Sequence, residues 1–334
     1  MMPYRAAVIG CGKIGSEYAD DPRIRDIYTH AGAYTACPDT ELVAVCDIDP
    51  ARAKRCADRW GVRSSFEDYR AMLGKARPEI VSVCTPDKTH AEILDVVLRS
   101  PSVKAVLAEK PLAMEVKEAR GIVQLSGDRG VILAVDYSRR YAANHRKVRD
   151  LVREGAIGRV QCMNGCYSGG LLHSGSHWLD LARFLVGEIT SVQGFGPRPG
   201  AGDDPTYDAR LVFEGGATGS LGGLDGSAFG IFEADIIGTT GRVRILDSGH
   251  LVEIWEAGEN PRYTGYRSLS IRETWDTGFS DLLLHAVGDL VHCLEHGGTP
   301  ACTGNDGVAA LAVADAIRRS ARQGKPLPTG LRGA

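Results

Sequence analysis

Residues 5–15 read RAAVIGCGKIG, an apolar run of strand-forming side chains that ends directly in Gly10-Cys11-Gly12-Lys13-Ile14-Gly15. The run predicts a buried strand, and the G-x-G-x-x-G that follows predicts the turn into a first helix reaching about Ala36. Glycines at these places let the chain turn tightly and let its backbone approach a pyrophosphate, whose charge the helix N-terminus would meet. Working outward, LVAVC at 42–46 repeats the apolar pattern and ends in Asp47, a carboxylate placed to accept hydrogen bonds from an adenosine ribose. Ile48 and Asp49 follow, and no basic residue adjoins Asp47 in sequence to take a 2'-phosphate, so NAD is expected rather than NADP. Gly15 and Asp47 are further apart than the ~20 residues usual for this motif, and residues 16–29 are read as an insertion placed to lean over a ligand.

Further apolar runs, IVSVC and VKAVLA, alternate with amphipathic stretches such as DPARAKRCADRW and HAEILDVVLRS. Uniformly apolar strands separated by helices predict a doubly wound parallel sheet covered on both faces. Beyond Gly155 the pattern changes to strand-like runs joined by glycine-rich turns, which predicts a second, mostly antiparallel sheet. The expected division is therefore residues 1–125 for the dinucleotide domain and 126–303 for the substrate domain.

The chain has 334 residues, 39 basic against 42 acidic, for a formal charge of −3. With 43% hydrophobic residues and no long run of one sign, this is a globular composition with no electrostatic footprint for nucleic acid or an anionic membrane. No stretch approaches the ~18 apolar residues of a membrane span, so a cytoplasmic protein with a small-molecule partner is expected. Nine cysteines, without a single C-x-x-C, are read as free thiols in a reducing compartment; Cys162 and Cys166 lack a second pair at zinc spacing.

Two more strand ends carry polar motifs at the same expected cofactor edge: Thr85-Pro86-Asp87-Lys88-Thr89-His90 and Glu109-Lys110-Pro111. Thr85, Pro86, His90, Glu109 and Lys110 are candidate cofactor contacts, and a lysine just after an apolar strand can also reach a substrate. A third cluster holds His173, His177 and Asp180. Two histidines four apart could bind a metal from one helical face, but Gly175 between them weakens that helix and no third ligand is evident. One histidine acting as acid/base beside a polar neighbour is the more economical reading, and no metal is expected.

Taken together, GCGKIG at 10–15, VAVCDIDP at 43–50, TPDKTH at 85–90, EKPL at 109–112, GSHWLDLARFLVG at 175–187 and IIGTTGRVRI at 236–245 resemble the Gfo/Idh/MocA oxidoreductases, nearly end to end. The resemblance implies an N-terminal Rossmann domain followed by an α/β domain with a large open sheet. That sheet would bind substrate on one face and build a homodimer or homotetramer with the other, while the last helix, about 304–324, returns to the Rossmann domain. It further implies that Lys110 and His177 are catalytic, with Arg139, Arg140, His173 and Asp180 at the substrate. Position 173 holds a histidine where many relatives of inositol dehydrogenase have an aspartate, and Asp136 stands where an asparagine is common. The implied activity is NAD(P)-dependent hydride transfer at a secondary alcohol of a sugar, sugar acid, cyclitol or nucleotide sugar. Net epimerisation, elimination or glycoside cleavage through transient oxidation, and a cofactor-binding regulator without turnover, are the alternatives.

Overall fold

The computed structural model describes residues 2–201 and 203–331. The chain opens with β1 (Tyr4–Ile9), α1 (His30–Ala36), β2 (Thr40–Cys46), α2 (Pro50–Trp60), β3 (Ser64–Phe66), α3 (Tyr69–Ala76), β4 (Ile80–Val83), α4 (His90–Leu98), β5 (Ala105–Ala108), α5 (Val116–Arg129) and β6 (Ile132–Val135). It continues through α6 (Ala143–Arg153), β7 (Val160–Ser168), α7 (Ser176–Leu185), β8 (Ile189–Ala201), β9 (Asp204–Phe213), β10 (Thr218–Leu224) and β11 (Phe232–Gly238). The last elements are β12 (Gly241–Leu246), β13 (Leu251–Glu259), β14 (Arg267–Trp275), α8 (Leu282–His296), α9 (Gly304–Gln323) and β15 (Leu327–Pro328).

Two compact units result: residues 1–141 with 280–308, and residues 142–279 with 309–334. In the first, six parallel strands are ordered β3-β2-β1-β4-β5-β6, with the order reversing at β1. Strands β4 and β5 are buried at every residue, as two covered faces require. Local chemistry punctuates the helices. Asp49 caps α2 by accepting the Ala51 and Arg52 N–H groups, Pro50 opens it, and Gly61 closes it at φ 68°. α8 packs against α1, β5 and β6, so the unit recovers a helix from late in the chain. The division between units falls inside α9, after Val308.

The second unit is built on nine strands ordered β14-β13-β12-β11-β7-β10-β9-β8-β15, all antiparallel neighbours except β7 and β10. Its strands alternate buried and less buried residues, the period of two that one covered face imposes. α7 lies on that face: Trp178 is fully buried, and its indole N–H donates to the Glu233 carbonyl at 2.9 Å.

One expectation fails. No helix opens at Gly15; a short 3-10 turn occupies Glu17–Asp20, and α1 begins only at His30, capped by Thr29. The hydrogen bonds show why. The His30 N–H donates to the Ile14 carbonyl (3.1 Å) and the Ala31 N–H to the Gly15 carbonyl (3.0 Å), so residues 16–29 are spliced into the helix's first turn.

Candidate active site

The glycines of the turn have three separate jobs. Gly10 sits at φ +93°, where a Cβ would also lie 2.6 Å from the Cys84 carbonyl carbon, and a Cβ on Gly15 would fall 2.0 Å from the Gly10 oxygen. At Gly12 a Cβ would meet no protein atom within 4 Å. The fold itself thus needs Gly10 and Gly15, while the bare backbone at Gly12 leaves room for a ligand, as a pyrophosphate-binding turn requires. Lys13 is exposed and Ile14 half-buried beside it.

Asp47, at the end of β2, is buried and already engaged: Oδ2 accepts the Cys11 N–H at 2.8 Å, and Oδ1 accepts the Asp49 N–H at 2.9 Å. Its first role is to brace the turn. The structure also brings up Arg52, one helical turn into α2, with a guanidinium nitrogen 3.4 Å from Asp47 Oδ1 and Nε 3.3 Å from Glu17 of the insertion. Sequence adjacency missed this basic residue because helical geometry, not neighbourhood in the chain, places it. Between Asp47 and Glu17 its charge is met twice over.

His90, one of the expected cofactor contacts, has both ring nitrogens engaged within the fold. The ring is buried, with Nδ1 2.6 Å from the Pro111 carbonyl and Nε2 2.7 Å from the Thr85 carbonyl, so it ties two strand-end turns together. Thr85 and Pro86 lie at the surface of the turn, where the Thr89 hydroxyl donates to the Thr85 hydroxyl at 2.9 Å. Arg140, an expected substrate contact, is likewise engaged. Its buried guanidinium pairs with Asp306 at 2.9 Å and donates to the Ala301 carbonyl at 3.2 Å, which commits it to the unit's own frame. Arg139 is half-buried beside the Tyr28 phenol.

Lys110 is buried at the end of β5, with Glu109 before it. Behind the pair stands a cluster that sequence reading passed over. His30 Nε2 is 3.1 Å from Glu109 Oε1 and 3.9 Å from Asp136 Oδ2, its Nδ1 is 2.8 Å from the Ser82 hydroxyl, and Ser82 meets the Tyr34 hydroxyl at 2.8 Å. Burial pushes the Glu109 carboxyl up, but His30 and Lys110 outweigh it and hold the group at about 2. Burial and the Glu109 charge push Asp136 well above the usual carboxyl range.

In the second unit the histidine cluster is not one regular helix. Leu171–Gly175 form a wide turn in which the Gly175 N–H donates to the Gly170 carbonyl, and α7 starts at Ser176. Asp204 fixes that turn by accepting the Leu172 and His173 N–H groups at 3.1 and 2.8 Å. Such a turn leaves His173 exposed and His177 half-buried in the first turn of α7. Asp180 is fully buried and 3.5 Å from Arg183, which Glu188 holds in turn at 2.6 Å.

A parallel sheet in the order 3-2-1-4-5-6 with an open glycine turn at the end of β1 defines a dinucleotide-binding protein. Residues 4–137 match the oxidoreductase family with NAD-binding Rossmann fold, and residues 130–329 match that family's C-terminal alpha/beta domain. The chain belongs to this family, Gfo/Idh/MocA. It is 28% identical to inositol 2-dehydrogenase of Rhizobium meliloti (strain 1021), over 96% of this chain and 97% of the relative. Inositol 2-dehydrogenase of Rubrobacter xylanophilus is 30% identical over 96% and 91%. Among solved structures, levoglucosan dehydrogenase in complex with NADH and levoglucosan superposes with a TM-score of 0.84, at 20% identity, covering 99% of this chain and all of that one. Among the described residues, no helix is long and apolar enough to cross a membrane.

Proposed function

We propose that the protein is an NAD-dependent dehydrogenase that oxidises a secondary alcohol of a sugar, sugar acid or cyclitol. The observation that carries the reading is Lys110, a buried lysine held at the end of β5 in the unit that also presents the open Gly12 turn. Relatives that match over nearly their whole length are named as inositol 2-dehydrogenases, which favours polyols among alcohols. Gly10, Gly12, Lys13, Ile14 and Gly15 would hold the pyrophosphate of NAD, with Asp47 near the ribose; the bound nicotinamide supplies a hydride acceptor. Oxidation also requires the hydroxyl proton to leave, and negative charge developing on that oxygen needs a donor. Lys110 supplies the donor as an ammonium, and His177 takes the proton through its imidazole, the side chain best suited to that task near neutral pH. Arg139, Arg140, His173 and Asp180 are the substrate-contact candidates, Arg140 paired with Asp306 and Asp180 lying 3.5 Å from Arg183.

Calorimetry of the cofactor-free protein with NAD tests the first half, and absorbance at 340 nm with myo-inositol, scyllo-inositol, glucosides and sugar acids tests the second. His177→Ala is expected to lower kcat by about 10²- to 10⁴-fold with NAD affinity nearly intact, and Lys110→Ala to do at least as much damage. Absence of NAD binding sinks the reading. A well-folded His177→Ala enzyme keeping more than about half its activity moves the base to another residue, His173 first.

A further inference from the structure

Glu109 and Asp136 are two buried carboxyl groups whose oxygens, with the His30 ring nitrogen, all lie within 4.8 Å of one another. Two carboxylates this close in a buried site do not both ionise. Asp136 Oδ1 is moreover buried with no hydrogen-bond partner among the described residues, which a neutral carboxyl tolerates and an ionised one does not. The rest of the chain assigns the remaining protons. Glu109 is a carboxylate, so His30 Nε2 must be the N–H that faces it at 3.1 Å. His30 Nδ1 lies 2.8 Å from the Ser82 hydroxyl, which lies 2.8 Å from that of Tyr34, a phenol that burial keeps protonated. An unbroken run of hydrogen-bond distances thus joins Tyr34, Ser82, His30 and Glu109.

We propose that Asp136 and His30 are positioning residues for Lys110: they grip the Glu109 carboxylate from two sides, Asp136 by donating a proton kept on its own carboxyl and His30 through Nε2–H. Glu109 Oε2 then receives the Lys110 backbone N–H at 3.3 Å, so the grip sets where the lysine leaves the strand. The inference rests on the dehydrogenase reading for the purpose of Lys110, but the location of the proton does not depend on it. Asp136 performs here, as an acid, the donation that an amide would make at the same place. Unlike an amide it can lose its proton. The groups facing it are Glu109 and Lys110 after β5, His30 on α1, Cys84 after β4, Tyr28 of the insertion and Tyr141. Among these groups Lys110 favours ionisation, while burial and the Glu109 charge oppose it and hold Asp136 well above the usual carboxyl range.

The test uses the full chain without added cofactor and the variants Asp136→Asn and Asp136→Ala. Infrared spectra at neutral pH are expected to show a protonated carboxyl band that Asp136→Asn removes; this needs no variant if the band is followed through titration of the unaltered protein. Hydrogen exchange at the Lys110 amide is expected to rise by at least about tenfold in Asp136→Ala and to stay close to the original in Asp136→Asn, whose amide still donates. With NAD and whichever polyol of the panel turns over, Asp136→Ala should lose about 10- to 100-fold in kcat with KM little changed, and Asp136→Asn should keep most of kcat but lose the pH dependence that ionisation of Asp136 imposes. Thermal unfolding supplies the sign. A carboxyl kept protonated only in the folded state favours unfolding above the ordinary pKa of about 4, so Asp136→Asn should raise Tm at neutral pH and leave it unchanged near pH 3. No carboxyl band, equal exchange in both variants, or a stoichiometric divalent cation held by the dialysed protein at His30, Glu109 and Asp136 overturns the proposal. A band and exchange pattern as expected with no turnover on any polyol instead retires the dehydrogenase reading and leaves the shared proton standing.

Discussion

Glu109 shows how much of a single side chain's surroundings stays hidden in the sequence. Its position just before a strand-end lysine makes it a candidate cofactor contact, and in the structure its two oxygens meet His30 and the Lys110 backbone. Its pH behaviour has the opposite sign to that of Asp136. Held at about 2 in the folded chain, it contributes stability that is complete above the ordinary carboxylate pKa and lost as pH falls from about 4 toward 2. Glu109→Gln should therefore destabilise the protein at pH 7 by on the order of 3 kcal/mol and flatten the acid limb of the Tm profile in that window. Equal Tm for both proteins across pH 2–7 contradicts the assignment. His30, the partner responsible, was not legible as such in the sequence. A lone histidine in THAGAY carries no signal, and only the hydrogen bond back to Ile14 shows that it belongs to the helix that follows the glycine turn.

The glycine turn is the element that the sequence announced most fully, because each glycine answers to a steric demand that no other residue meets. Its three positions nevertheless differ in what they protect. Gly12→Ala adds a methyl that touches no protein atom, so Tm should stay within about 0.5 kcal/mol equivalent of the original, while NAD affinity measured by calorimetry should fall by at least about tenfold. A variant that binds NAD normally would move the pyrophosphate off this turn. The helix after it was legible in type but not in start, since residues 16–29 have the composition of a loop and periodicity cannot report that the chain leaves a helix and rejoins it. The insertion is anchored rather than loose. Arg59 donates to Asp20 and to the Ala19 carbonyl, the Trp60 indole N–H donates to the Ser16 hydroxyl at 2.9 Å, and the Ile27 N–H donates to Asp281 at 2.9 Å.

At the scale of the whole chain, alternation of apolar strands with helices gave the parallel sheet, and glycine-joined strands gave the antiparallel one. What periodicity could not supply was the return of α8 to the first unit, because contacts between residues so far apart in sequence leave no local pattern. The same limit applies to assembly. On the nine-stranded sheet the positions facing away from the buried residues carry Val212, Leu269 and Ile271, 38–50% exposed, among the ion pairs Arg242–Asp235 and Arg244–Glu253. A face of apolar positions set among paired charges suits a second copy of the chain, and we expect a homodimer or homotetramer by light scattering at micromolar concentration. Ile271→Glu should shift that mass downward without unfolding the protein; a monomeric unaltered chain contradicts the expectation.

The splice at Ile14 and His30 also bears on how such a chain can diversify. Because the two ends of the excursion are already hydrogen-bonded neighbours, it behaves as a cassette whose contents can be exchanged while its frame stays closed. Doubling its length would add only about 0.6 kcal/mol of closure entropy, less than many single core substitutions cost. Because Tyr28 is carried beside Arg139 and Asp136, rewriting this one segment changes what faces that carboxyl while the glycine turn and the strand-end lysine keep their places.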